Sequence, residues 1–205
     1  RGALKESLCH IVGVQFRNCA TVGGSIFGRY GFSDVLTMFL ALDSYVELYH
    51  AGRVPMSQFV NMPKDRDVLV NIIVKKTPLS CVYLSQRNTK TDFPVLTCAA
   101  SLLEGKARTV IGARPGRAVI LTDENGILKD FKEMTKKQRQ AAVPAFSDYA
   151  AEHVTVGGNM RGSAQYRKLL AKVLTRRAWE ALGDRKPESK LQSAVIETGG
   201  GRNED

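Results

Sequence analysis

Four glycines, Gly23, Gly24, Gly28 and Gly31, fall within nine residues, and the chain runs from them into Ser33-Asp34 and an apolar stretch ending at Leu42. Glycine tolerates positive φ and lets a main chain approach a ligand closely, so consecutive N–H groups can converge on a diphosphate without a dedicated side chain. A helix opening at Ser33-Asp34 adds N-cap chemistry and a favourable dipole next to that segment. Thr21, Ser25 and Ser33 offer hydroxyl donors. Asp34 suits either a ribose hydroxyl or the helix cap. The pattern is neither GxGxxG nor GxxxxGK followed by Ser or Thr, so an ordinary Gly-rich turn leading into a capped helix stays open beside the anion-binding reading.

Around this segment the chain alternates between helical and extended periods. Residues 4 to 12 read as the end of a helix, and 15 to 31 as a loop. Val35 to Leu42 reads as a buried helix, because Val35, Met38, Phe39 and Leu42 keep helical spacing while Leu36 and Leu40 carry apolarity round the other side. Alternation predicts strands over 44–50 and 67–74. Lys75 to Pro78 breaks the pattern and is the expected boundary. Beyond it, strands are predicted over 81–86, 95–103, 107–112 and 118–122, joined at Glu104-Gly105-Lys106 and Arg114-Pro115-Gly116. A short polar helix over 136–143 follows. A longer one then runs from the Ser163 cap to Leu182, burying Tyr166, Leu170, Val173 and Leu174 and exposing Arg167, Lys168, Lys172 and Arg176, with Gly183 as its C-cap. The expected domains are 1–78 and 79–182, with a flexible tail over 183–205.

Composition excludes several classes. With 205 residues, 43% hydrophobic and 24% charged, the chain fits one or two globular domains and neither a disordered nor a collagen-like protein. Its longest nearly apolar run, 35–42, is less than half of the roughly 20 residues that span a bilayer. A basic-then-apolar leader is not visible, so a cytoplasmic protein is expected, on a chain that reads as processed or truncated. Cys9, Cys19, Cys81 and Cys98 form no CxxC pair and are predicted to be reduced and mostly buried. With His10, His50 and His153 dispersed, no metal site is expected. Asp123-Glu124 and Asp130 with Glu133 lie in a polar loop without a nucleophile, which argues against a hydrolase and leaves no catalytic residue expected on this chain.

A formal charge of +10 attracts anionic cofactors, acidic partners or nucleic acid. Arg161, Arg167, Lys168, Lys172, Arg176, Arg177, Arg185 and Lys186 gather around the last helix. Without exposed aromatics or a groove-reading motif there, a solvated face or an acidic-subunit dock is favoured over a nucleic-acid module.

Arg17 to Ile26, followed by Ser33-Asp34 and the helix ending Ala41-Leu42-Asp43, resembles the second FAD-binding loop of the flavoprotein subunits of molybdenum hydroxylases. Xanthine dehydrogenase and aerobic carbon monoxide dehydrogenase belong to that group. Downstream, 112–118 and Asn159 to Arg167, with Val173-Leu174 and Arg176-Arg177-Ala178, are similar to the carboxy-terminal domain of the same flavoproteins. The resemblance implies an α+β chain: the C-terminal half of a PCMH-type FAD-binding domain, then a CO dehydrogenase flavoprotein C-terminal-like domain of antiparallel sheet and helices. It implies a FAD-dependent oxidoreductase subunit passing electrons from iron–sulfur clusters through FAD to NAD or another acceptor. Molybdopterin and 2Fe–2S clusters would sit on partner subunits, and a companion chain would supply the first FAD loop. Carried over residue by residue, Thr21, Gly23, Gly24, Ser25, Gly28, Ser33 and Asp34 would contact the FAD diphosphate and its sugar portions, and Leu69 a ring face. Ser85 stands where many relatives have Lys, a role that Arg87 or Lys90 could take. The alternative is a non-catalytic scaffold of the same fold that has lost FAD.

Overall fold

The computed structural model describes residues 2–184. Four short helices come first: α1 (Gly2–Cys9), α2 (Gly13–Cys19), α3 (Val22–Phe27) and α4 (Asp34–Leu40). They are followed by β1 (Ser44–Leu48), β2 (Gly52–Pro55), the one-turn α5 (Met56–Phe59) and β3 (Leu69–Val74), which form an antiparallel sheet of order β2-β1-β3. A second antiparallel sheet runs in sequence order through β4 (Leu79–Arg87), β5 (Pro94–Leu103), β6 (Lys106–Gly112) and β7 (Val119–Thr122). Two helices close the chain, α6 (Lys136–His153) and α7 (Ala164–Gly183).

The second sheet is covered on both faces, and β5 carries the division. Leu96, Cys98, Ala100 and Leu102 point into a core with Phe146, Leu170, Leu174 and Trp179 of α6 and α7. Alternate residues meet α4 instead. Ala99 joins a second core with Val35, Leu36, Met38 and Phe39, while Thr97 and Ser101 bond to Thr37 Oγ1 at 3.0 Å and to the Ala41 carbonyl at 2.7 Å. Every residue of α4 is therefore buried, as its unbroken apolar surround predicts. In the first core Trp179 donates its indole N–H to Thr109 Oγ1 at 2.9 Å, and Phe131 and Phe146 meet its ring edge-on.

Several local expectations are corrected. The segment 15–31 is not a continuous loop: α2 runs to Cys19 and α3 covers Val22–Phe27, and only 20–21 and 28–31 are irregular. The polar helix expected over 136–143 continues through Pro144 to His153, because Val143, Phe146, Ala150 and Val154 all bury on the core. On α7, Tyr166 is exposed and Arg167 is the buried residue, at 1% exposure. Arg167 donates to the carbonyls of Val95 and Gly157, both at 2.9 Å, and to Asn159 Oδ1 at 2.6 Å, so an arginine placed by helical spacing on the solvent side is consumed as a tie between β5 and the turn before α7. The C-cap of α7 is Asp184, with Gly183 its last helical residue. The cysteines, expected to be mostly buried, are not: Cys9 on α1 and Cys19 on α2 are exposed and Cys81 is half-buried, while Cys98 is buried and burial pushes its thiol up to about 12. The expected tail lies outside the described residues from 185 onward.

Candidate functional site

Thr21 ends the bend after α2 and starts α3 by accepting the Gly24 N–H on its Oγ1 at 3.0 Å. Ser25 Oγ donates back to the Thr21 carbonyl at 3.0 Å. Ser33 Oγ accepts the Leu36 N–H and donates to the Ser25 carbonyl, both at 3.1 Å, so it caps α4 and joins it to α3. These three hydroxyls hold two helix starts together, which is why the Gly-rich segment is helical despite the cost of about 1 kcal/mol for each internal glycine. Ile26, fully buried, anchors α3 on the second core. Replacing Thr21 with Ala is expected to lower stability by about 1 kcal/mol through loss of that cap, read from urea unfolding midpoints.

The glycines act mainly by absence of a side chain. The positive φ in this segment belongs to Arg29, at 47°, and not to a glycine. A Cβ on Gly28 would fall 2.2 Å from the Tyr30 ring, so Gly28 is the seat of that ring. A Cβ on Gly31 would fall 2.5 Å from the Gly116 carbonyl, where the two backbones cross, and the Ala113 N–H bonds to the Gly31 carbonyl at 2.8 Å. Gly23 lies under Leu69, whose Cδ2 is 3.7 Å from the Cβ position. Leu69 is thus packed behind α3.

In front of α3 is a cleft of about 320 Å³, lined by Thr21, Gly24, Ser25, Ser33 and Asp34 together with Ile11, Val12, Ala20, Val35, Tyr30, Phe32, Arg87 and Phe93. Five of the eight expected site residues line it; Gly23, Gly28 and Leu69 support it from outside. Its walls are mostly apolar. Asp34 is buried at the cleft wall, where its Oδ1 accepts from the Tyr83 hydroxyl and pairs with Arg87, so this side chain ties α4 to β4. Burial, with Asp34 adding to it, raises the Tyr83 phenol well above its ordinary range, so Tyr83 stays a proton donor. Arg87 reaches Asp34 from the end of β4, where the pairing with β5 shifts register between Gln86 and Arg87. Its Nη1 bonds the Asp92 carbonyl at 2.7 Å, while its Nε is buried with no acceptor among the described residues.

Three aromatic residues at the rim escaped the residue-by-residue carry-over. Tyr30 and Phe32 stack with centroids 5.3 Å apart and planes 7° apart, and Phe93 meets Phe32 at 4.2 Å and 40°. Lys64 lies 5.3 Å from the Tyr30 centroid and Arg161 lies 5.2 Å from that of Phe93. The signal for the first two is their placement either side of Gly31; Phe93 is brought in only by the β4–β5 turn. Arg161 also binds Asp92 through Nε and Nη2, and this contact, with the Phe93 N–H, holds the Asp92 carboxyl below the usual range.

The remaining candidates are largely self-contained. The basic face of α7 is partly neutralised, with Lys172 paired to Asp148 and Arg176 to Glu180, which leaves less charge for a nucleic-acid backbone than the sequence suggests. Among the described residues Glu6, Cys9 and His10 bring ligand-type atoms within 4.8 Å of one another at the end of α1, a grouping that the dispersal of the histidines conceals. Glu6 and His10 there already bond each other at 2.8 Å. Among the described residues, no helix is long and apolar enough to cross a membrane.

Comparison with known proteins adds two adjoining matches. Residues 2–77 match the model of the FAD binding domain in molybdopterin dehydrogenase, and residues 82–182 match that of the CO dehydrogenase flavoprotein C-terminal domain. The uncharacterized protein YgfM of Escherichia coli K12 is 24% identical over 173 residues, 84% of this chain. The chain spans 62% of that relative's length. Among solved structures, carbon monoxide dehydrogenase from Hydrogenophaga pseudoflava superposes with a TM-score of 0.73 at 23% identity, covering 88% of this chain and 67% of that one. Quinoline 2-oxidoreductase from Pseudomonas putida 86 gives 0.69 at 22%, covering 87% and 65%, and CO dehydrogenase from Oligotropha carboxidovorans gives 0.72 at 21%, covering 89% and 67%.

Proposed function

The chain belongs to the FAD-binding flavoprotein family of the molybdenum hydroxylases, and from that premise we propose that it is the electron-transfer subunit of such an enzyme, holding FAD in the cleft before α3. The observation that carries this reading is the convergence on one cleft of the Thr21–Ser25 turn and Ser33 from the first match with Arg87 and Phe93 from the second. The residues present suit the group. The walls are apolar enough for a ring system, and Arg87 Nε is a buried donor without a partner among the described residues. The Thr21–Ser25 turn would face the diphosphate. Ser33 and Asp34 would act through position, by fixing the start of α4 and the guanidinium of Arg87. Gly28 and Leu69 would hold the turn from behind.

FAD bound there supplies exchange of single electrons with iron–sulfur centres and of electron pairs with an acceptor such as NAD. The chain's own work is to bind it, orient it and limit its contact with water. The iron–sulfur and molybdopterin groups would reside on partner subunits, and the division at 75–78 would separate the FAD-binding portion from the carboxy-terminal domain.

Flavin absorbance of the protein purified in its native assembly tests the reading. A yellow preparation that releases one FAD per chain on denaturation is the expected result. A colourless assembly that also takes up no added FAD would overturn it and leave the non-catalytic scaffold.

A further inference from the structure

Resting on the placement of FAD in this cleft, we propose that Tyr30, Phe32 and Phe93 form the platform for a planar heteroaromatic ring of the bound dinucleotide, with Phe32 at its centre. Aromatic residues are only 7% of the chain, yet three of them adjoin here while remaining 51%, 42% and 44% exposed. Large apolar side chains left contiguous and half exposed at the mouth of a cleft mark a surface completed by something else.

The strip is also pre-formed. Gly28 seats the Tyr30 ring, the crossing at Gly116 fixes Gly31 between Tyr30 and Phe32, and the Asp92–Arg161 pair holds the turn that carries Phe93. A platform rigid before binding loses little entropy when a ring settles on it. The terminal rings already have cations nearby, Lys64 at Tyr30 and Arg161 at Phe93, which places positive charge at both ends of the strip and favours a ring carrying an anionic chain. Leu69, the residue expected to meet a ring, lies outside this strip, with its Cδ2 3.7 Å from the Cβ position of Gly23. Isoalloxazine and adenine share the chemistry that this surface recognises, a flat π-system with polar edges.

The test is equilibrium binding of FAD, riboflavin and ADP to the native assembly after removal of its flavin, with wild type, Phe32→Ala, Phe93→Ala and, as a distant control, Tyr49→Ala. Tyr49 is 72% exposed and meets only His50, edge-on, among the described aromatic contacts. Stacking on an aromatic side chain predicts that Phe32→Ala weakens FAD roughly 5- to 100-fold, with Tyr49→Ala unchanged. A parallel loss for riboflavin identifies the flavin ring as the occupant, and a parallel loss for ADP identifies adenine. Melting curves monitor folding, and Phe32→Leu, which keeps the apolar volume, replaces Phe32→Ala if the latter unfolds. If wild type binds FAD and the Phe32 and Phe93 variants match it within twofold, the platform is refuted while the FAD reading stands, including the case where those variants weaken only subunit assembly. If wild type takes no FAD, both fall.

Discussion

Replacing Asp34 with Leu is expected to destabilise the fold by about 3–5 kcal/mol, because it leaves the Arg87 guanidinium buried without its counter-charge. The two side chains are 7% and 8% exposed, so solvent screens the pair little. Arg87→Met should cost a similar amount by stranding the carboxylate, with Tyr83 as its one remaining donor among the named contacts. The informative measurement is the double-mutant cycle. An apolar pair of similar volume removes both desolvation costs, so Asp34→Leu with Arg87→Met should be well under the sum of the single effects and recover at least about 2 kcal/mol. In a domain of this size the singles would lower the melting temperature by roughly 6–20 °C. Additive losses in urea unfolding would mean that the pair is not electrostatically coupled and that Asp34 matters only as an acidic residue in the first turn of α4.

Gly112→Ala is the second large expected loss, at about 3 kcal/mol. The Cβ would stand 2.2 Å from Thr37 Oγ1 and 2.5 Å from Thr97 Oγ1, in a fully packed region where those hydroxyls bond each other at 3.0 Å. Overpacking of this kind costs roughly 1–3 kcal/mol, and parting two buried hydroxyls adds about another 1 kcal/mol or more. Gly116→Ala is the matched control, since its Cβ would meet nothing nearer than the Arg114 side chain at 3.5 Å. Equal melting temperatures for the two variants would refute the steric account.

What the sequence discloses depends on how local the cause is. Ser33 as a cap, α4 as a helix buried all round, and the strands of the second sheet follow from neighbouring residues, and the observed bounds differ from the expected ones by only a few positions. The fold class and the family likewise follow from motifs quoted as they stand. The helical state of 22–27 does not, because two adjacent glycines oppose it and the compensation comes from the Thr21 cap and from burying Ile26 under α4. Arg167 is buried by carbonyls as distant as that of Val95, 72 positions away. At the site, the hydroxyl-bearing residues Thr21, Ser25 and Ser33 line one cleft, yet what each hydroxyl binds is settled by the backbone geometry of α3 and α4. The Asp34–Arg87 pair needs the register shift at the Gln86–Arg87 end of β4, where the extra residue lies on β5, and the approach of Phe93 to Phe32 needs the β4–β5 turn; spacing along the chain announces neither.

The alternating faces of β5 have a mechanical corollary. Because Thr97, Ala99 and Ser101 serve α4 while their neighbours serve α7, the amino-terminal helices rest on a floor that the later half of the chain provides. The two matched regions are thus unequal partners: severing the chain at 75–78 would strip α4 of the surface that shields it, so the earlier piece should not survive alone as a folded module.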